Sequence, residues 1–160
     1  MINDFETATE GILTLVEAWE PRLSMLPEEV ITGRKNSQDR TIKQILGHLI
    51  DSASNNTHRI VHLQYQPSPL IFPNYATFGN NDRWIAIQNY QHEDWHSMIG
   101  LWKYINMHLV HVIRNIDPAK LEQRWDSGDG KLISLSEMVV SYLVHMELHM
   151  REIEGLIGPE

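Results

Sequence analysis

The chain has 160 residues, no cysteine, 13 Lys plus Arg, 21 Asp plus Glu and nine His, giving a net charge of -8 with His neutral. That length suits one compact domain over residues 1–160, large enough to fold without disulfide staples. The lack of Cys excludes disulfide frameworks, thiolate metal sites, iron–sulfur clusters and cysteine nucleophiles. The acidic balance argues against a phosphate-backbone binder, so no nucleic-acid partner is expected.

The chain starts Met1-Ile2-Asn3-Asp4-Phe5-Glu6, without the basic start and apolar core of a secretory signal. No run approaches the roughly 20 apolar residues that span a bilayer. A cytoplasmic location and no membrane partner are therefore expected.

Four stretches show helical periodicity. In the first, about Asp4 to Trp19, Phe5, Ala8, Ile12, Leu15, Val16 and Trp19 fall on one face, and Pro21 follows. The second runs from about Thr41 to His62. It opens on a capping box, Thr41 with Gln44, and carries the stripe Ile42, Ile45, Leu46, Leu49, Ala53 and Ile60. A connection from about Leu63 to Gln91 holds Pro67, Pro69, Pro73 and Gly79, which break continuous helix. Its Tyr65, Phe72, Tyr75, Phe78 and Trp84 argue for a packed segment, with a short helix near Asp82–Tyr90.

The third helix runs from about Glu93 to Ile116, with Trp95, Met98, Trp102, Ile105, Leu109 and Val112 inward, and Pro118 ends it. Ser127-Gly128-Asp129-Gly130 is a turn signal that closes a small hairpin before the fourth helix. Ser134 and Glu137 form a second capping box, and Gly158 and Pro159 stop the fourth helix after Ile157. The expected fold is all-α: a four-helix bundle whose second and third helices are joined by a long crossover.

The fourth helix reads Leu135, Met138, Tyr142, His145, His149, Glu152 and Leu156 in steps of three or four. On that reading His145 and His149 stand near the centre of the buried stripe, where Leu is the ordinary residue. Two imidazoles one turn apart on one face can hold one metal ion. Unpaired in a core, each would instead carry a desolvation penalty.

His48, midway along the second helix, is the candidate third ligand. Asp51, Asn55 and Arg59 continue from it as one polar line beside the apolar stripe, as the wall of a bundle pocket would. Imidazoles suit Zn, Ni, Cu and Fe alike. Three protein ligands leave positions for water and substrate, the mark of a catalytic metal.

The other His have simpler readings: a solvated helix start for His92 and His96, the surface for His108 and His111, and a helix end for His58 and His62. Glu93 with His96 is a single Glu-x-x-His match, and a di-iron carboxylate bundle needs two.

At these residues the sequence resembles the DinB/YfiT-like superfamily of four-helix-bundle metalloproteins. Gly47-His48-Leu49-Ile50-Asp51-Ser52-Ala53-Ser54-Asn55 resembles that family's first ligand motif, and Tyr142-Leu143-Val144-His145-Met146-Glu147-Leu148-His149 its His-x-x-x-His motif. Arg59 falls where YfiT-like members carry an Arg, and Pro73-Asn74-Tyr75 followed by Trp84 is similar to a loop preceding their third helix. Glu147 and Glu152 depart from the pattern, standing where YfiT-like helices are richer in His.

The resemblance implies a nickel- or zinc-like divalent ion on His48, His145 and His149, and a homodimer. It also implies a small-molecule substrate and a low-molecular-weight thiol as co-substrate. The expected activity is a thiol-dependent S-transferase, with a hydrolase as near neighbour. Asn55 and Arg59 are expected to face the pocket, Arg59 suiting a carboxylate or phosphate. Asp51 is expected to support a ligand His. Tyr75 and Trp84 are expected to wall the site. The alternatives are a non-catalytic bundle that binds a small ligand or partner around a retained metal site, and a purely structural bundle.

Overall fold

The computed structural model describes residues 2–158; Pro159, read as part of the last helix stop, lies outside them. In chain order come α1 (Ile2–Ser24), α2 (Glu28–Gly33), α3 (Ile42–Tyr65), β1 (Leu70–Ile71), α4 (Asn80–Gln88), α5 (Trp95–Arg114), β2 (Arg124–Asp126), β3 (Leu132–Ser134) and α6 (Leu135–Ile157). The long helices α1, α3, α5 and α6 make the bundle.

Both capping boxes form. Thr41 and Ser134 each accept from the backbone of the residue three on, and Gln44 and Glu137 reach back to the cap backbone. α1 runs on past its expected end at Trp19, with Pro21 inside it. The ring removes one intrahelical bond but lies on the solvent side. The turn beyond it is held from outside, because Leu23 is fully buried and its carbonyl accepts from Trp95 Nε1 at 2.8 Å. The sequence reading also passed over α2, a short helix that buries Val30 and Ile31.

α1 packs on α5 and α6, and α3 packs on the same two, so consecutive long helices α1 and α3 lie diagonally, as do α5 and α6. Polar contacts fix the directions. Thr41 at the start of α3 bonds Gln91 just before α5 at 2.6 Å. At the far ends, Gln64 accepts from the Asp117 backbone at 2.9 Å. Neighbours α3 and α5 are therefore parallel. α1 and α6 are parallel too, with Arg22 on Glu154 at 3.3 Å and Arg34 on the Leu156 carbonyl at 2.7 Å near their C-terminal ends.

A parallel neighbour cannot be reached by a tight turn, so the chain between α3 and α5 returns along the bundle, which is the expected crossover. It carries β1 and α4. The expected hairpin is β2 with β3, antiparallel, turning where Gly128 and Gly130 take positive φ. β1 joins it parallel to β2, a third strand that the sequence reading did not foresee.

The core gathers Ile12, Leu23, Ile42, Leu46, Leu49 and Trp102, all essentially free of solvent. Among the described residues, no helix is long and apolar enough to cross a membrane.

Candidate metal centre and its cavity

On α6 the core stripe is not the one expected. Leu135, Met138, Val139, Tyr142, Met146, Met150 and Ile153 are buried, while His145 and Glu152 are half-buried. At about 100° per residue, His145 sits roughly 90° round from the centre of that stripe. His149 lies between them and is buried. The pair flanks the core at the seam with α3. Met, flexible and apolar, takes the central places.

Across that seam His48 is buried on α3. Its Nε2 lies 3.2 Å from His145 Nε2, which lies 3.1 Å from His149 Nε2. One ring nitrogen from each of the three falls within 4.8 Å of the other two. Metal–nitrogen bonds of about 2.0–2.1 Å set neighbouring ligand atoms about 2.8–3.4 Å apart. The observed spacings therefore fit one divalent ion.

The outer nitrogens carry the same implication. His149 Nδ1 meets the Glu152 carboxylate at 2.9 Å, so that nitrogen donates and Nε2 is the one turned to the cluster. Tyr75 donates its hydroxyl hydrogen to the His48 carbonyl at 3.0 Å, leaving its oxygen to accept from His48 Nδ1. Ser52 Oγ stands 3.4 Å from His145 Nδ1. With the proton of each ring on its outer nitrogen, the tautomer these partners suit, three lone pairs would converge on one point, an arrangement that a cation stabilises. Partners of this kind orient metal-bound imidazoles and raise their basicity. Glu152 is itself tied to the loop before α3, accepting from Asn36 at 3.3 Å.

Burial pushes His48 from its ordinary 6.5 down to about 2, helped by His149 and His145, and His145 down to about 4, helped by His149. Both are neutral across the physiological range, as ligation requires. A histidine depressed in the folded state contributes fully above its unfolded pKa of 6.5, and the contribution is lost as pH falls toward the folded values near 4 and 2. Asp51 acts oppositely: burial raises it from 3.8 to about 6, so its contribution is lost as pH rises through 6. His48→Leu isolates the histidine effect. Thermal melts of metal-free protein between pH 7 and 4 are expected to show a shallower acid decline in the variant than in the wild type. Equal slopes would overturn the assignment of that decline to the buried imidazole.

A cavity of about 280 Å³ opens beside the three histidines, lined among others by His48, Ser52, Asn56, Arg59, Tyr75 and Trp125. Helix geometry explains which of the expected residues reach it. Ser52, Arg59 and Asn56 lie roughly 40°, 20° and 80° to one side of His48, whereas Asp51 and Asn55 lie roughly 60° and 20° to the other. Asp51 is buried but supports no histidine; it accepts from Tyr90 and Gln88, each at 2.7 Å. Asn55 turns back on the helix and donates to the Asp51 carbonyl at 2.9 Å, while Asn56 lines the cavity in its place. Tyr75 does wall the site, with Trp84 edge-on behind it at 5.4 Å between ring centroids. Arg59 reaches the cavity, its guanidinium 4.1 Å over the Trp125 ring from the hairpin.

Sequence reasoning passed over Ser52, Asn56 and Trp125. The first two were legible as i+4 and i+8 from His48, on the same side as Arg59. Trp125 was not, because its place depends on how the hairpin folds back. The other histidines keep to the readings given above: His96, His108 and His111 are exposed. His92 bonds Asn89, and His62 bonds Tyr65 and Gln66.

No protein-family profile matches the chain, and no curated protein matches it. Solved structures that share its fold include two proteins. YfiT from Bacillus subtilis, a probable metal-dependent hydrolase with an unusual four-helix bundle topology, superposes with a TM-score of 0.81 at 17% identity, over 95% of this chain and 85% of that one. A histidine-to-alanine mutant of the mycothiol-dependent maleylpyruvate isomerase superposes at 0.74 with 11% identity, over 93% of this chain. The isomerase is the longer protein, and this chain spans 60% of it. The two parallel helix pairs, the crossover between α3 and α5 and these two likenesses give one conclusion: the chain shares the four-helix-bundle fold of YfiT and of the isomerase.

Proposed function

We propose that the protein is a divalent-metal-dependent enzyme that joins a low-molecular-weight thiol to a small electrophilic substrate, with hydrolysis of a related substrate as the neighbouring activity. The observation that carries this reading is the cluster of three imidazoles, with His145 Nε2 at 3.2 Å from that of His48 and 3.1 Å from that of His149, each ring held from behind, at the edge of a cavity. Nickel and zinc both suit the donor set, and the thiol reading is supported by the fold shared with a thiol-dependent isomerase. An ion on three imidazoles supplies Lewis acidity and lowers the pKa of a bound thiol or water. The chain has no cysteine, so a thiol has to arrive as a separate molecule.

The chain's own groups bind and orient. His48, His145 and His149 present lone pairs inward, and Tyr75, Ser52 and Glu152 hold those tautomers. Tyr75 also closes one wall against bulk water, its hydroxyl kept protonated because burial raises its pKa. The test is a screen of untagged protein, reloaded with Zn or Ni, with glutathione, cysteine and other small thiols against activated carbon electrophiles and esters. Turnover is expected to require both the metal and either a thiol or, for the hydrolytic branch, water alone. Ligand-induced stabilisation without turnover would instead assign the cavity to a binding module.

A further inference from the structure

Arg59 is only 6% exposed, yet among the described residues no carboxylate or carbonyl pairs with its guanidinium. Its Nε is buried without a hydrogen-bond partner. The one acid on its own helix, Asp51, is turned away to Tyr90 and Gln88. A buried cation without a counter-charge is costly. The cation nevertheless keeps a fixed place. Trp125 lies under it at 4.1 Å, and the indole is pinned by donating to the Phe72 carbonyl at 3.1 Å. Stacking of this kind pre-organises the planar fork for a bidentate partner. Beside it on the cavity wall stand the neutral polar groups of Ser52 and Asn56, and beyond them the apolar Ile133 and Met138.

We propose that Arg59 is the docking point for the carboxylate of a small, partly apolar substrate, which lies in the cavity with its reacting end toward the three histidines. Calling it a substrate site rests on the metal-enzyme reading; the anion site itself does not. A single cation matches a carboxylate in charge and in its two-oxygen geometry. A phosphate monoester would leave a second negative charge uncompensated in a chain whose net charge is already -8.

The experiment titrates benzoate into metal-free protein by calorimetry, with benzamide as the uncharged isostere and phenyl phosphate as the dianion. The variants are Arg59→Met, Arg59→Lys and His145→Ala. Benzoate is expected to bind at least tenfold more tightly than benzamide, and more tightly than phenyl phosphate. Arg59→Met is expected to lose tenfold or more, with Arg59→Lys between. His145→Ala is expected to lose far less benzoate affinity than Arg59→Met. Without ligand, Arg59→Met is expected to melt no lower than the wild type, because an unpaired buried charge has gone.

Several results overturn the proposal: equal binding of benzoate and benzamide, tighter binding of phenyl phosphate, or no benzoate binding at tens of millimolar. Unchanged affinity in Arg59→Met together with a lower melting temperature would make Arg59 a structural partner of Trp125. Benzoate binding lost in His145→Ala but kept in Arg59→Met would place the carboxylate at the histidines. Protein that takes up no metal yet binds benzoate through Arg59 sinks the enzyme reading and keeps the anion site. Metal uptake without benzoate binding does the reverse.

Discussion

Untagged wild-type protein is expected to hold about one divalent ion per chain by elemental analysis, and His145→Ala almost none. His145 is the hinge of the cluster, since its Nε2 sits 3.2 Å from that of His48 and 3.1 Å from that of His149. Removing it leaves only the two imidazoles of His48 and His149, one ligand short of the set. The effect is also readable as stability. A ligand at a thousandfold excess over its dissociation constant stabilises by about 4 kcal/mol. In a chain of this size that is a rise of roughly 10 °C in melting temperature. The wild type is expected to lose that increment on chelation and the variant to show no response. Because His145 is half-buried and outside the central stripe, the metal-free variant is expected to fold. His149→Ala gives an independent check. Metal content unchanged in both variants would show that the ion, if present, sits elsewhere.

Gly47→Ala is expected to be the most damaging single methyl addition in the site region. A Cβ at Gly47 would stand 2.2 Å from a ring carbon of Tyr90 and 2.4 and 2.7 Å from two more. Tyr90 is 5% exposed and its hydroxyl holds Asp51 at 2.7 Å, so the ring cannot withdraw without stripping the buried carboxylate of a donor. Overpacking costs about 1–3 kcal/mol, and a lost hydrogen bond to a charged group about 1.5–3 kcal/mol. The sum corresponds to a fall of roughly 10 °C or more in melting temperature. Gly100→Ala is the control. It lies inside α5 with nothing within 4 Å of a new Cβ. There the gain in helix propensity of up to about 1 kcal/mol has nothing to oppose it. Equal melting temperatures for the two variants would refute the close approach of α3 to Tyr90.

The contrast between these glycines shows where sequence reasoning stops. Both sit in helices, and propensity treats them alike. Only the tertiary placement of Tyr90, 43 residues on from Gly47, separates them. The same limit explains the misjudged end of α1. Pro21 is a local stop signal, but the buried Leu23 and its bond from Trp95 outweigh it. It also explains the misplaced stripe on α6. Steps of three and four connect Leu135 to His149, yet a parallel line through Val139, Met146, Met150 and Ile153 satisfies the same periodicity. Which line faces the core depends on the neighbouring helices.

Features set within a few residues were legible without any structure. The two capping boxes mark helix starts because their bonds close between residues three apart. His145 and His149 share a face because one helical turn separates them. The prolines between α3 and α5 forced a break, and the length of that connection allowed the crossover that a parallel neighbour requires. Absent cysteine excluded thiolate metal sites and cysteine nucleophiles by composition alone.

The tertiary structure decided what lies across a seam. It brought His48 within 3.2 Å of a histidine 97 positions later, and set Trp125 under Arg59. It gave Tyr75 rather than Asp51 the task of orienting His48. It also chose Ser52 and Asn56 over Asn55 for the cavity wall. These choices depend on how the helices are rotated and docked against one another. That is settled by burying whole apolar faces at once, and no short stretch of sequence carries the information by itself.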